Sequence, residues 1–364
     1  MAGRVDQEHG TLASSTEFSR YDQVAKREYH LAEAADDGDV FDDDFRFTTC
    51  DLERWLRGDD ADKRRFADEL GAAMADIGFA IIEGHGVDEE LFEAAEQWTT
   101  DLFTGSSLHD KMEFRAARRG SVSEGYFPIK ETSDIHPDLV EGWVFGRPAF
   151  DLDEDAGFDP AQFWPDAELE PLFRQLVTQE LRLFQPIMGA ILTFLGADAG
   201  SYDHRLNRPD FGQRLNYYPP LSPADLDSGA GRLLGHEDID LFTLLPAPSV
   251  EGLQVLTSEG RWVRMNAPAG SIILNTGDYL QRISNDLLVS TTHRVSPPRD
   301  PADAAQTRTS FPLAAYLRPD EMLEVLPHLP NPKYDPIRVI TFHTRTTAKF
   351  YGDDYAVEDG SSGG

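Results

Sequence analysis

Cysteine is almost missing from this 364-residue chain: Cys50 stands alone, so neither an intrachain disulfide nor a cysteine-rich metal cage can form. Positive charge is also scarce. The 33 basic residues, only 6 of them lysine, face 65 acidic ones, giving a formal net charge of −32. Such a surface repels phosphate backbones, which argues against nucleic acid as a partner, and its self-repulsion favours solubility. Long apolar runs are absent too. None is long enough to cross a bilayer, and Met1 to His30 is studded with charge, unlike a signal peptide. A cytoplasmic protein without membrane partners is therefore expected. Nothing in the composition speaks to oligomeric state.

Residues 1–44 read as an acidic polar arm, ending in Glu33, Asp36, Asp37, Asp39, Asp42, Asp43 and Asp44. Such a run repels itself and buries little, so a solvated arm is expected. At the other end, 356–364 reads as a flexible tail closing on Gly360-Ser361-Ser362-Gly363-Gly364. Between them, Phe66, Leu70, Met74 and Ile77 recur at helical spacing and predict a helix over 61–77. Phe79-Ala80-Ile81-Ile82 reads as a strand, Gly84-His85-Gly86-Val87 as a turn, and 89–103 as a second helix. A longer apolar stripe from Leu172 to Leu195 predicts a bracing helix over 169–195. From Gly252 onward the segments are short and interrupted by turn residues, the pattern of an all-β sandwich or barrel. A last helix is expected over 336–350, with His343 and Arg345 on a solvated face.

The richest chemistry lies in Gly235-His236-Glu237-Asp238. If this stretch is extended, His236 and Asp238 point to one side and Glu237 to the other, which makes half a metal site. A third ligand must come from another strand, and His293 sits in the β-like run Val289 to Val295. Two imidazoles and one carboxylate form the facial triad that leaves Fe(II) open positions for oxygen and an organic co-substrate.

Gly235-His236-Glu237-Asp238, Gly252-Leu253-Gln254-Val255, Asn275-Thr276-Gly277-Asp278, His293-Arg294-Val295 and Arg308-Thr309-Ser310 occur in an order that resembles the isopenicillin N synthase-like family of Fe(II)/2-oxoglutarate-dependent dioxygenases. The helix, Gly-Phe strand and His-Gly-Val order near residues 61–87 extends the likeness towards the N-terminus. The resemblance implies a mainly β protein with flanking helices around a double-stranded β-helix, or jelly roll. An N-terminal helix and strand portion would span 45–150, and the catalytic core with its bracing helix 151–355. His236, Asp238 and His293 would hold iron. Arg308 and Ser310, with Tyr218 and Asn216 from the Asn216-Tyr217-Tyr218-Pro219 stretch, would bind 2-oxoglutarate. Oxygen would be the oxidant, and a small molecule would be hydroxylated, desaturated or cyclised with release of succinate and carbon dioxide.

In such enzymes the irregular region over 120–150 helps wall the substrate pocket, so Tyr126, Phe127, Trp143 and Phe145 are candidate lining residues. His85, between two glycines, is read as holding its turn by hydrogen bonds rather than as a ligand. Two alternatives stay open at this stage. An oxidase or oxidative cyclase would take all electrons from its substrate, with Arg308 and Ser310 gripping a substrate carboxylate instead; a non-catalytic jelly-roll binding protein would keep the triad for structure alone.

Overall fold

The computed structural model describes residues 21–26, 39–129, 138–154, 156–222, 225, 231–297 and 305–358. Much of the expected acidic arm and the end of the expected tail therefore lie outside the described residues.

The expected N-terminal helix is α1 (Asp60–Asp76), started by Asp59, whose carboxylate accepts from the Ala61 and Asp62 amides. The second, α2 (Glu89–Gly105), is capped in the same way by Asp88. The bracing helix α3 (Leu169–Phe194) buries Phe173, Leu176, Val177, Phe184 and Ile187 along one stripe. It crosses α1 at Gly71, where a Cβ would come within 1.9 Å of the Phe194 ring. Only glycine fits there.

Among the described residues, fourteen strands build the two main sheets. In chain order they are β1 (Thr49–Asp51), β2 (Phe79–Glu83), β3 (Ala117–Arg119), β4 (Val122–Phe127), β5 (Glu141–Gly146), β6 (Asp210–Tyr218) and β7 (Leu233–His236). These are followed by β8 (Phe242–Pro246), β9 (Leu253–Leu256), β10 (Trp262–Arg264), β11 (Ile272–Thr276), β12 (His293–Val295), β13 (Arg308–Ser310) and β14 (Leu313–Tyr316). The larger sheet runs β1-β2-β11-β8-β14-β6-β5-β4-β3, with β13 pairing the far half of β6; the smaller runs β10-β9-β12-β7. Together they form a double-stranded β-helix flanked by helices. The N-terminal portion is woven into the core, because β2 pairs β11 and β5 pairs β6 within the same sheet.

Short α4 (Asp278–Ile283) follows β11, and α5 (Val339–Tyr351) contributes His343, Thr347, Phe350 and Tyr351 to the wall of the cavity between the sheets. Among the described residues no helix is long and apolar enough to cross a membrane.

The described parts of the acidic arm are docked, which corrects the expectation of a solvated segment. Asp39 pairs with Arg294 at 2.6 Å, Asp43 pairs with Arg264 at 2.8 Å, and Phe41 bridges to Trp262. Earlier in the arm, Val24 is buried, and Lys26 forms a buried ion pair with Asp278. Asp39, Asp42 and Asp43, which repel one another in sequence, are each paired with a separate arginine of the folded core, Arg294, Arg261 and Arg264.

Candidate metal and co-substrate site

β7 and β12 run antiparallel and bring His236 directly opposite His293. The ring centroids lie 4.3 Å apart. Asp238 follows two residues after β7 has ended, so it comes from a loop and not from the extended strand that the alternation suggests. Its Oδ1 still lies 3.7 Å from His236 Nε2 and 3.9 Å from His293 Nε2. All three ligand atoms fall within 4.8 Å of one another, close enough to share one metal ion.

The remaining atoms of these side chains are already engaged. His236 Nδ1 meets the Leu234 carbonyl at 2.8 Å, and His293 Nδ1 meets the Thr291 carbonyl at 3.1 Å. A carbonyl can only accept, so each Nδ1 carries a proton, and in the neutral form of either ring the lone pair lies on Nε2. Asp238 Oδ2 accepts from Asn275 Nδ2 and Thr243 Oγ1, both at 2.8 Å, leaving Oδ1 for the centre. Burial, and then the neighbouring His293, pull His236 down to about 4, keeping it neutral at physiological pH. Burial pushes Asp238 up, but the two imidazoles, Asn275 and Thr243 outweigh it and hold the carboxyl below its ordinary range.

Thr243 has one proton and two carboxyl neighbours, since Asp240 Oδ2 is also 2.6 Å away. Burial and the adjacent Asp238 push Asp240 well above the usual range. One hydroxyl proton cannot serve both carboxyl groups fully, and of the two Asp240 is the one whose surroundings favour holding a proton. Glu237 turns away from the cluster: it accepts from Thr292 Oγ1 and faces Lys349 Nζ at 3.8 Å.

A cavity of about 270 Å³ opens from the triad between the two sheets. Arg308 and Ser310 line it from β13, opposite Tyr218 and Asn216 of β6. The Arg308 guanidinium is fully buried over the Tyr218 ring, Cζ lying 4.7 Å from the centroid. Its Nε donates to the Val250 carbonyl at 3.1 Å, while Nη1 has no partner. Desolvation pulls this arginine below its ordinary value, and Tyr218 pushes it back up. A buried guanidinium edge with an open donor is a seat for a carboxylate. Asn216 is different, because both ends of its amide are taken: Oδ1 accepts from Arg214 Nε at 2.8 Å and Nδ2 donates to Ser310 Oγ at 3.2 Å. It reaches a ligand only through those neighbours.

Of the four aromatic candidates, the cavity receives only Phe127. Tyr126, Trp143 and Phe145 occupy the opposite face of β4 and β5, which corrects the expectation for them. Tyr126 Oη donates to Glu141 at 2.6 Å, and Trp143 stacks on Phe145, which stacks on Trp164 at 3.6 Å. Side chains alternate along a strand, so Phe127 and Val144 point inwards because their neighbours point out. His343 is also misplaced by the sequence: it is buried in the cavity wall, with Nδ1 2.8 Å from Tyr279 Oη. No local signal marks it, since its apolar surroundings come from other elements. His85 holds its turn, with Nε2 donating to the Gly270 carbonyl at 2.8 Å and Nδ1 accepting from the Val87 amide at 3.1 Å.

Comparison with known proteins gives two matching family models. Residues 48–167 match that of the non-haem dioxygenase in morphine synthesis N-terminal region, and residues 209–314 that of the 2OG-Fe(II) oxygenase superfamily. The chain is 30% identical over 325 residues to the 2-oxoglutarate-Fe(II) type oxidoreductase ppzC of Metarhizium majus, covering 80% of this chain and 84% of that one. It is also 30% identical over 249 residues to the proline hydroxylase buaE of Petromyces alliaceus, covering 64% and 75%. A full-length Neurospora crassa protein, crystallised with alpha-KG and 5-formyluracil, superposes with a TM-score of 0.72 over 87% of this chain and 99% of that one, at 24% identity.

Proposed function

The chain belongs to the 2OG-Fe(II) oxygenase superfamily, and we propose that His236, Asp238 and His293 are its iron ligands and Arg308, Ser310 and Tyr218 its grip on 2-oxoglutarate. It is an Fe(II)- and 2-oxoglutarate-dependent oxidoreductase acting on a small molecule. One observation carries the residue assignment: three donor atoms converge while every other polar atom of those side chains is held by the protein. Two imidazoles and one carboxylate match the ligand preference of Fe(II), and the partnerless Arg308 Nη1 matches the distal carboxylate of the co-substrate.

When bound, iron with 2-oxoglutarate and oxygen supplies the power to oxidise an unactivated C–H bond, giving succinate and carbon dioxide. The protein's own part is orientation and exclusion of water. The Leu234 and Thr291 carbonyls fix the two imidazole planes, and Asn275 and Thr243 fix the carboxylate. Val140, Val295 and Leu233 pack around Tyr218 and keep the co-substrate end dry, so that the Arg308 contact is made at low dielectric. The proline hydroxylase among the relatives favours hydroxylation over desaturation or ring closure.

Anaerobic titration tests the assignment. Asp238→Ala removes the only anionic ligand and is expected to abolish stoichiometric Fe(II) binding. Arg308→Gln should retain iron and lose at least about tenfold in 2-oxoglutarate affinity, because a charge-assisted bidentate contact is worth roughly 1.5 to 3 kcal/mol. Unchanged 2-oxoglutarate affinity in that variant would place the distal carboxylate elsewhere.

A further inference from the structure

A second guanidinium faces the same cavity. β6 alternates in and out, so Arg214 shares the inward face with Asn216 and Tyr218. Arg214 Nε donates to Asn216 Oδ1 at 2.8 Å, which fixes the plane of the guanidinium. Its Nη2 is buried and has no partner. The site is built to take this group, because a Cβ at Gly142 on the neighbouring strand would lie 3.3 Å from Nη2. One flank of the guanidinium is aromatic, with the Phe127 centroid 5.8 Å from Cζ.

Among the described residues no carboxylate pairs with it, although the chain holds 65 acids against 33 bases. Arg147, Arg174, Arg264 and Arg294 each sit on an acidic side chain. Asp138 is the acid nearest in effect, but its Oδ1 accepts from the Leu234 amide at 3.1 Å and no ion pair joins it to Arg214. Arg214 and Arg308 are thus two cavity arginines without an acidic partner among the described residues. Their backbone positions stand well apart on the sheet. Arg308 lies opposite Tyr218, four residues along β6 from Arg214, about 13 Å at the rise of an extended strand. If 2-oxoglutarate fills the Arg308 seat, the Arg214 seat belongs to something else. Apolar side chains lie beside it, Phe127 on one flank and Val144 opposite it on β5, and Val122 and Phe350 line the same cavity together with the phenols of Tyr316 and Tyr351.

We propose that Arg214 determines substrate specificity by binding a carboxylate of the molecule to be oxidised, and that this substrate is a small carboxylic acid with an apolar body. The inference rests on the reading that Arg308 serves 2-oxoglutarate.

A binding screen under nitrogen tests it, using protein loaded with Fe(II) and 2-oxoglutarate and a panel of matched pairs of carboxylic acid and primary amide on phenylacetyl, cinnamoyl and medium-chain acyl bodies. Acids should bind better than their amides in the wild type by about tenfold or more, the loss expected when one bidentate charged contact is removed. Arg214→Gln should erase that preference, and Arg214→Lys should restore part of it, since an ammonium lacks the planar fork. In Arg214→Gln the affinity for 2-oxoglutarate should stay within about threefold of wild type, a change of well under 1 kcal/mol. Circular dichroism verifies that both variants fold. No acid preferred over its amide anywhere in the panel would overturn the proposal. So would a loss of 2-oxoglutarate affinity in Arg214→Gln as large as that in Arg308→Gln. Failure of Arg308→Gln to weaken 2-oxoglutarate would instead defeat the underlying assignment, so the two failures are distinguishable.

Discussion

Asn275 shows how much of the proposed metal site sits outside its ligands. Its Nδ2 donates to the Asp238 oxygen that points away from the centre, and among the described residues no side chain but Thr243 shares that task. Asn275→Ala should therefore weaken Fe(II) binding by about 10- to 100-fold, the usual effect of removing a partner that orients a ligand; an anaerobic iron titration reads this directly, and an unchanged affinity would mean that Thr243 suffices. His343 allows a test of a different kind. Burial pulls it from 6.5 down to about 3, so the unfolded chain takes up a proton near pH 6.5 while the folded chain resists until much lower pH. The folded state then loses stability as pH falls through that window, by about 1.4 kcal/mol per unit. Between pH 7 and pH 5 the metal-free wild type should lose about 2 kcal/mol relative to His343→Gln, measured by urea unfolding at the two pH values. Equal slopes would show that the imidazole is hydrated.

Among the elements, the segment 21–26 departs furthest from its sequence reading. Lys26 holds Asp278 and lies 3.5 Å from Ser290 Oγ. Both of those residues donate to the Asp238 carbonyl, Asp278 through its amide at 2.9 Å and Ser290 through its hydroxyl at 3.4 Å. A residue of the N-terminal arm thus braces the loop that carries a proposed iron ligand. Lys26→Met would leave the Asp278 carboxylate buried and unpaired, at a cost of roughly 3 to 5 kcal/mol. The pair Lys333–Asp286 supplies the control: its lysine is exposed and its carboxylate also accepts from Gln281 and Tyr334, so Lys333→Met should cost less than about 1 kcal/mol. Similar losses in thermal unfolding would mean that water reaches Lys26. Helix α5 departs from its sequence reading for a related reason: its apolar residues stand out in the pattern, but the polar face also turns inwards, towards a cavity rather than solvent.

Over the whole molecule, the formal charge of −32 opposes compaction. Salt shortens the reach of that repulsion, from about 20 Å at low ionic strength to a few Å near molar concentrations. The urea midpoint should accordingly rise when sodium chloride is increased from about 0.02 M to about 0.5 M. A falling midpoint would show that specific ion pairs such as Asp39–Arg294 outweigh the general field.

The sequence by itself determined those features that depend on local order or period. Helical spacing located α1 and α3, and the ordered polar motifs singled out the three residues that converge at the proposed metal site. Tertiary structure alone decided which face of a strand is the inside. Period two says that Tyr126 and Phe127 point opposite ways, but only the pairing of β4 with β5, and the packing of Trp143 against Tyr126 and Phe145 behind them, sends Phe127 into the cavity. It also decided whether a charge is solvated. Lys26 and His343 acquire their surroundings from residues far away in the chain, Asp278 and Ser290 for one and Tyr279 for the other. The free energy of a buried charge or imidazole is set by those neighbours, and no window of local sequence contains them.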